Sequence, residues 1–132
     1  MYLLDTNICI YLIRKQSKEL LKKIQLHRVT DIAISSVTLA ELRYGVEKSS
    51  FPEKNSEALD RFLLPIETLP FDSMAAITYG KIRTDLERSG KLIGSLDMMI
   101  AAHALSIEAV LVTNNEKEFT RVKKLRIENW SK

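Results

Sequence analysis

The chain has 132 residues, 45% of them hydrophobic and 28% charged, and 20 basic against 17 acidic side chains leave a net charge of +3. That size suits a single domain, residues 1–132, which buries roughly two-thirds of its unfolded surface without staples; the lone Cys9 excludes an internal disulfide. No signal peptide opens the chain and no apolar run approaches the ~20 residues that span a bilayer, so a cytoplasmic protein with no membrane partner is expected.

In chain order, a short strand is predicted at Tyr2-Leu3-Leu4, running straight into the capping residues Asp5, Thr6 and Asn7. A helix follows over 8–15, with Cys9 read as a small buried hydrophobe. A second helix over 18–27 aligns Leu20, Leu21 and Ile24, with Val29 beyond them. Residues 32–36 form the next strand, ending in two capping serines. A helix over 38–47 then places Leu39, Leu42 and Val46 at helical spacing.

The segment 49–53 reads as a break. A helix over 54–64 follows, ended by Pro65. Residues 66–69 are a candidate strand, and Asp72-Ser73 opens a long helix over 74–88, with Asp72 an ordinary cap. After a loop over 89–94, a strongly apolar helix runs to Ser106 and holds His103 as a core histidine. The run Ala109-Val110-Leu111-Val112 is typical of a strand covered on both faces. A helical turn near 116–121 precedes a last strand at 125–127. Strands alternating with helices imply a mostly parallel sheet of four to five strands between helical layers, an α/β fold.

The acidic residues fall where strands end. Asp5 closes the first strand and Glu41 sits early in the helix after the second. Asp97 starts the apolar helix, and Asn114, Asn115, Glu116 and Glu118 follow the 109–112 strand. Ligand sites in open α/β sheets lie beyond the carboxyl ends of the strands, so these positions could share one cleft. Gathered carboxylates repel unless a cation neutralises them. Oxygen donors without a His or Cys cluster select Mg²⁺ or Mn²⁺ over Zn²⁺, and such ions serve phosphodiester chemistry.

Each acid also has a structural alternative. Asp5 fits an N-cap, Thr38 with Glu41 and Asn115 with Glu118 fit capping boxes, and Asp97 complements a helix dipole. Against these stands the joint placement of Asp5 and Asp97 beside runs that should be buried, where an unpaired charge is costly. The four scattered glycines form no phosphate loop, and no serine nucleophile elbow is present.

Four strings carry a family resemblance: Leu3-Leu4-Asp5-Thr6-Asn7-Ile8; the stretch from Ile34-Ser35-Ser36 through Glu41-Leu42-Arg43-Tyr44-Gly45; Ile93-Gly94-Ser95-Leu96-Asp97 with Ile100-Ala101-Ala102-His103-Ala104; and Leu111-Val112-Thr113-Asn114-Asn115 with Glu118-Phe119. In this order, with the Glu128-Asn129-Trp130 ending, they resemble PIN domains, and most closely the VapC toxins of type II toxin–antitoxin modules. The resemblance implies a PIN-like three-layer α/β/α sandwich and a Mg²⁺- or Mn²⁺-dependent endoribonuclease. Its acidic cluster would be Asp5, Glu41 and Asp97.

It further implies a cognate VapB-type antitoxin, a homodimer and a higher assembly with the antitoxin. The Thr-Asn-Asn and Glu-Phe strings resemble toxins that cut initiator tRNA in the anticodon stem-loop. Many PIN domains carry an Asp where this chain has Asn115, an amide without charge, so Glu118 is expected to supply the fourth carboxylate. One well-held metal, with a second arriving with RNA, is the expectation.

On this reading Asp5 and Asp97 hold the metal, and Glu41 binds it through water or orients the attacking water. Thr6, Asn7, Ser36, Thr113 and Asn115 aim the carboxylates by hydrogen bonds. Arg14, Lys15, Arg43, Lys48, Lys91 and Arg121 are candidates to grip RNA phosphates, and amphipathic helices could leave a groove for an antitoxin segment. The competing reading is a catalytically inactive PIN-like module that binds RNA or protein.

Overall fold

A computed structural model describes all residues from Met1 to Lys132. Five strands and seven helices follow the order β1 (Tyr2–Leu4), α1 (Thr6–Arg14), α2 (Lys18–Gln25), β2 (Ile32–Ser35), α3 (Ser36–Glu47), α4 (Pro52–Leu63), β3 (Glu67–Leu69), α5 (Ser73–Arg88), α6 (Ser95–Ser106), β4 (Val110–Val112), α7 (Glu116–Phe119) and β5 (Ile127–Glu128). All neighbours pair in parallel, in the order β3-β2-β1-β4-β5. The chain works outward from β1 to β3 and then returns to the other side of β1. The topological switch therefore falls between β1 and β4, the position at which open α/β sheets bind ligands beyond the strand ends.

The two-residue period of the strands sorts the core into two halves. Leu3, Ala33 and Leu111 point to one face and pack with α5 and α6 residues such as Ile82, Leu86, Ile100 and Ala101. Leu4, Ile32, Ile34 and Val112 point to the other and pack with Ile8, Leu12, Leu20, Leu42 and Leu59 of α1 to α4. This is the expected three-layer α/β/α sandwich, with a five-stranded, wholly parallel sheet. In α6 six consecutive or near-consecutive residues are buried, Met98 and Ile100 through Ala104, because the helix is wedged between sheet and α5.

Several boundaries differ from the sequence reading for identifiable reasons. Helix α3 starts at Ser36 because the Ser35 side chain accepts from the Val37 N–H; Thr38 lies inside the helix, fully buried, and makes no capping box with Glu41. Helix α4 starts at Pro52, whose missing N–H costs nothing in the first turn. Val29 is not on α2 but in a 3₁₀ turn, Val29–Asp31, half exposed. The last strand begins only at Ile127, since Lys124 turns the chain with φ 67° just before it.

The loop that delivers α6 is tightly built. After α5, Gly90 takes φ +67°, and the N–H groups of Gly90 and Lys91 donate to the carbonyls of Glu87 and Leu86. This left-handed glycine cap satisfies the helix end and sends buried Ile93 back into the core, which fixes where Gly94 and the first turn of α6 emerge.

Candidate active site

Register places the first acid. Leu4 lies opposite Val112, so Asp5 and Thr113 leave the sheet side by side at its carboxyl edge. Asp5 is 4% exposed. Its Oδ1 accepts from the Thr6 backbone N–H at 2.8 Å, and its Oδ2 accepts from the Thr113 hydroxyl at 2.8 Å. Thr113 Oγ1 in turn accepts from the Asn115 backbone N–H at 3.0 Å. Burial outweighs both hydrogen bonds and pushes the Asp5 carboxyl above its usual range, with repulsion from Glu41 and Glu118 adding to the rise.

The other acids come from three further elements. Glu41, in the second turn of α3, accepts at Oε1 from the Thr6 hydroxyl at 2.7 Å, and the buried Thr38 hydroxyl lies 3.4 Å from that of Thr6. Asp97 is in the first turn of α6. Burial, then repulsion from Asp5, Glu118 and Glu41, and a hydrogen bond with Glu118 push its carboxyl up to about 6. Gly94 precedes this turn, and a Cβ there would meet Asp97 Oδ2 only at ordinary contact distance, 3.4 Å. Asp5, Glu41, Asp97 and Glu118 thus form one electrostatic group.

Not every expected residue joins them. The Ser36 hydroxyl accepts instead from the Phe71 N–H at 2.9 Å, tying the start of α3 to the loop before α5. Asn7 is exposed on α1 and lines the neighbouring groove. Asn115 contributes its backbone N–H, and its side chain forms no capping box with Glu118. Glu116 turns away, held by Lys132 at 2.8 Å and Asn129 at 3.1 Å. Asp72 caps α5 through the Ala75 N–H.

Of the candidate RNA-gripping cations, Arg43 is paired with Asp60 at 2.8 Å and Arg121 donates to the Leu92 carbonyl. Arg14 and Lys48 line the groove beside Glu41. Lys15 and Lys91 are exposed.

Two supporting residues escaped the sequence reading. Thr38 looked like a cap and is a buried hydroxyl beside the Thr6–Glu41 bond. Ser35, besides capping α3, lies 2.7 Å from Nδ1 of buried His103. Burial lowers the His103 pKa, and the hydrogen bond between the ring and the Ser35 hydroxyl pins α6 to β2. The adjacent serines at a strand end were the available signal, but which one capped could not be read from spacing.

As the side chains stand, no three acidic, imidazole or thiol groups are drawn close enough together to grip an ion. The donor set nevertheless suits one. Four carboxylates with oxygen donors only, two of them with raised pKa values, are the chemistry that a hard divalent cation relieves.

A parallel sheet in this order, with acids from four segments at its carboxyl edge, is the arrangement of a PIN-type nuclease. The PIN domain description matches residues 2–125, and the chain belongs to that family. It is 47% identical over 132 residues to ribonuclease VapC2 of Rickettsia felis, covering 99% of this chain and 98% of the relative. The tRNA(fMet)-specific endonuclease VapC of Shigella flexneri is 45% identical over 130 residues, covering 98% of both. The crystal structure of VapBC2 from Rickettsia felis, bound to a DNA fragment from its promoter, superposes with a TM-score of 0.92 at 46% identity, covering 98% of each chain. Within the PIN family the chain is therefore a ribonuclease of the VapC kind. PIN-domain nucleases generally depend on divalent metal ions.

Proposed function

We propose that this ribonuclease is the toxin of a toxin–antitoxin pair. It cleaves tRNA, initiator tRNA in the anticodon stem-loop, with Mg²⁺ or Mn²⁺ held by Asp5 and Asp97 and assisted by Glu41 and Glu118. The observation that carries the reading is the convergence of these four carboxylates from β1, α3, α6 and α7 at the switch point of the sheet, each raising the charge burden of the others. When bound, a divalent cation supplies charge neutralisation at the phosphate and activation of water at neutral pH.

The chain's own groups do the positioning. Thr113 and the Thr6 N–H fix both oxygens of Asp5, and the Thr6 hydroxyl holds Oε1 of Glu41. Protonation and cation binding compete at Asp97, whose carboxyl titrates at about 6. The intact acidic set and its hydrogen-bonded support speak against an inactive binding module. Such a set destabilises the fold, and a purely binding function gives no reason to keep it.

The tRNA target rests on the name of the Shigella flexneri relative. A VapB-type antitoxin rests on the VapBC structures; a homodimer and a larger complex with antitoxin rest on the family resemblance alone. A tRNA substrate places the enzyme in the cytoplasm, and the sandwich formed by residues 1–132 acts as one domain. The test is incubation of the purified chain with individual tRNAs and Mg²⁺, followed by end mapping. The expected result is cutting of initiator tRNA within the anticodon stem-loop and sparing of elongator tRNAs. Indiscriminate cutting of all tRNAs, or of none, would refute the target.

A further inference from the structure

Glu41, Tyr44 and Gly45 on α3 and Lys48, which caps its C-terminus, lie at intervals of three, four and seven residues from Glu41 and so share one face of the helix. That face borders an open groove of about 810 Å³ between α1, α3 and α4, to which α1 contributes Arg14. Tyr44 is 65% exposed, and the Lys48 ammonium stands 4.8 Å from its ring centroid. Neither Lys48 nor Arg14 takes part in any of the chain's ion pairs. An aromatic ring with Lys48 over it, a second cation outside any ion pair, and the carboxylate Glu41 therefore adjoin one another along a single trough.

Gly45 adds an independent observation. A Cβ at this position would meet nothing within 4 Å, and its φ is not positive. Neither packing nor conformation within the chain calls for glycine here, and a glycine inside a helix is less favourable than alanine. What the missing side chain does provide is bare helix surface next to the Tyr44 ring, where a flat partner can lie close.

We propose that Tyr44 is a stacking platform for one unpaired nucleobase of the RNA substrate, next to the nucleotide whose phosphate lies at the carboxylates. Gly45 admits that nucleotide to the helix surface, and Lys48 and Arg14 face the flanking phosphates. The inference rests on the carboxylates being the cleavage site. Three residues, about 4.5 Å of rise, separate Glu41 from Tyr44 along the helix axis, which is within reach of a neighbouring nucleotide. Every base presents a π-face, and stacking on an exposed aromatic beside cations is how single strands are commonly held. A base paired in a duplex cannot use such a platform, so the ring selects for a loop or an unpaired end.

The experiment compares steady-state cleavage of one cleavable RNA by the unaltered chain and by Tyr44→Ala, Tyr44→Phe and Gly45→Ala. A set of the same RNA with single abasic nucleotides around the cut is run in parallel. Tyr44→Ala is expected to raise KM about tenfold with little change in kcat and an unchanged melting temperature, while Tyr44→Phe restores KM. Gly45→Ala is expected to raise the melting temperature yet weaken RNA binding, which a merely structural glycine would not do. One abasic position should cost the unaltered enzyme about tenfold and cost Tyr44→Ala nothing further.

An unchanged KM in Tyr44→Ala, or abasic effects of equal size in both enzymes, would overturn the platform while leaving the nuclease intact. Loss of antitoxin capture with unaltered RNA cleavage would assign the ring to a protein partner and overturn it too. Absence of RNA cleavage by the unaltered chain would remove the cleavage-site reading and the platform with it.

Discussion

Thr113 donates its hydroxyl to Asp5 Oδ2 at 2.8 Å across 108 residues of sequence, and both residues are buried. The contact exists because Leu4 and Val112 are partners in the parallel β1–β4 ladder and each chain continues one residue further. It joins the first segment of the site to the last. The same hydroxyl accepts from the Asn115 N–H, so it also shapes the turn that leads to Glu118.

Thr113→Val keeps the shape and removes the hydroxyl. The buried Asp5 carboxylate then loses a charge-assisted hydrogen bond, which is expected to cost about 1–3 kcal/mol of stability and to weaken divalent-ion binding about 10- to 100-fold. Denaturant unfolding and calorimetric titration with Mn²⁺ check both. Unaltered ion affinity would separate Thr113 from the site.

Asp97→Asn is expected to stabilise the metal-free protein while abolishing cleavage. The folded pKa of about 6 lies above the ordinary 3.8, so the contribution of Asp97 is fully favourable below about pH 4 and is lost as pH rises through 6. For a half-exposed carboxylate this amounts to about 1 kcal/mol. Melting temperatures measured without metal should therefore agree near pH 4 and diverge above pH 6, with the variant higher. Added Mg²⁺ should raise the melting temperature of the unaltered chain and leave the variant nearly unmoved. A variant less stable at pH 8 would contradict the electrostatic account.

Cys9 is fully buried, and burial, with the Asp5 charge beside it, pushes its thiol well above the ordinary range. Its reaction with a thiol-directed disulfide reagent should be undetectable in the native state. It should go to one equivalent once the chain is unfolded. Rapid native labelling would show that the α1 face of the core opens readily.

Trp130 is 1% exposed and stacks on His27 with centroids 4.5 Å apart, against Tyr2 at 5.0 Å. Its indole N–H donates to Glu128 at 2.8 Å. Trp130→Ala is expected to cost about 3–5 kcal/mol, a large share of a typical domain's stability, because it empties the end of the sheet under α2. Since Trp130 is the only tryptophan, its fluorescence reports native burial directly. A red-shifted native spectrum would place the ring in water.

The placement of the strands and the order of the acids were legible from periodicity and from polar residues where apolar runs stop. Asp5 and Asp97 were recognisable because each adjoins residues too apolar to be anywhere but inside. Less legible were contacts that depend on which partner arrives from another segment. Thr38 and Glu41 have capping-box spacing, and nothing local reveals that Ser35 caps the helix instead and frees Thr38 to sit beside Thr6. Ser36 looked suited to support a carboxylate, yet its hydroxyl meets Phe71. The His27–Trp130 stack joins residues whose own neighbourhoods are polar, so no local pattern announced it. Arg43 was equally credible as an RNA contact and as the partner of Asp60, which it is.

The most direct test of the central claim is RNA cleavage by the purified chain in Mg²⁺ or Mn²⁺, with EDTA and Asp5→Asn as controls. The account requires discrete cleavage products with either ion and loss of cleavage in both controls, with the variant still folded by circular dichroism. Cleavage that persists in EDTA, or in folded Asp5→Asn at the rate of the unaltered chain, would contradict a carboxylate-held metal as the centre of the reaction.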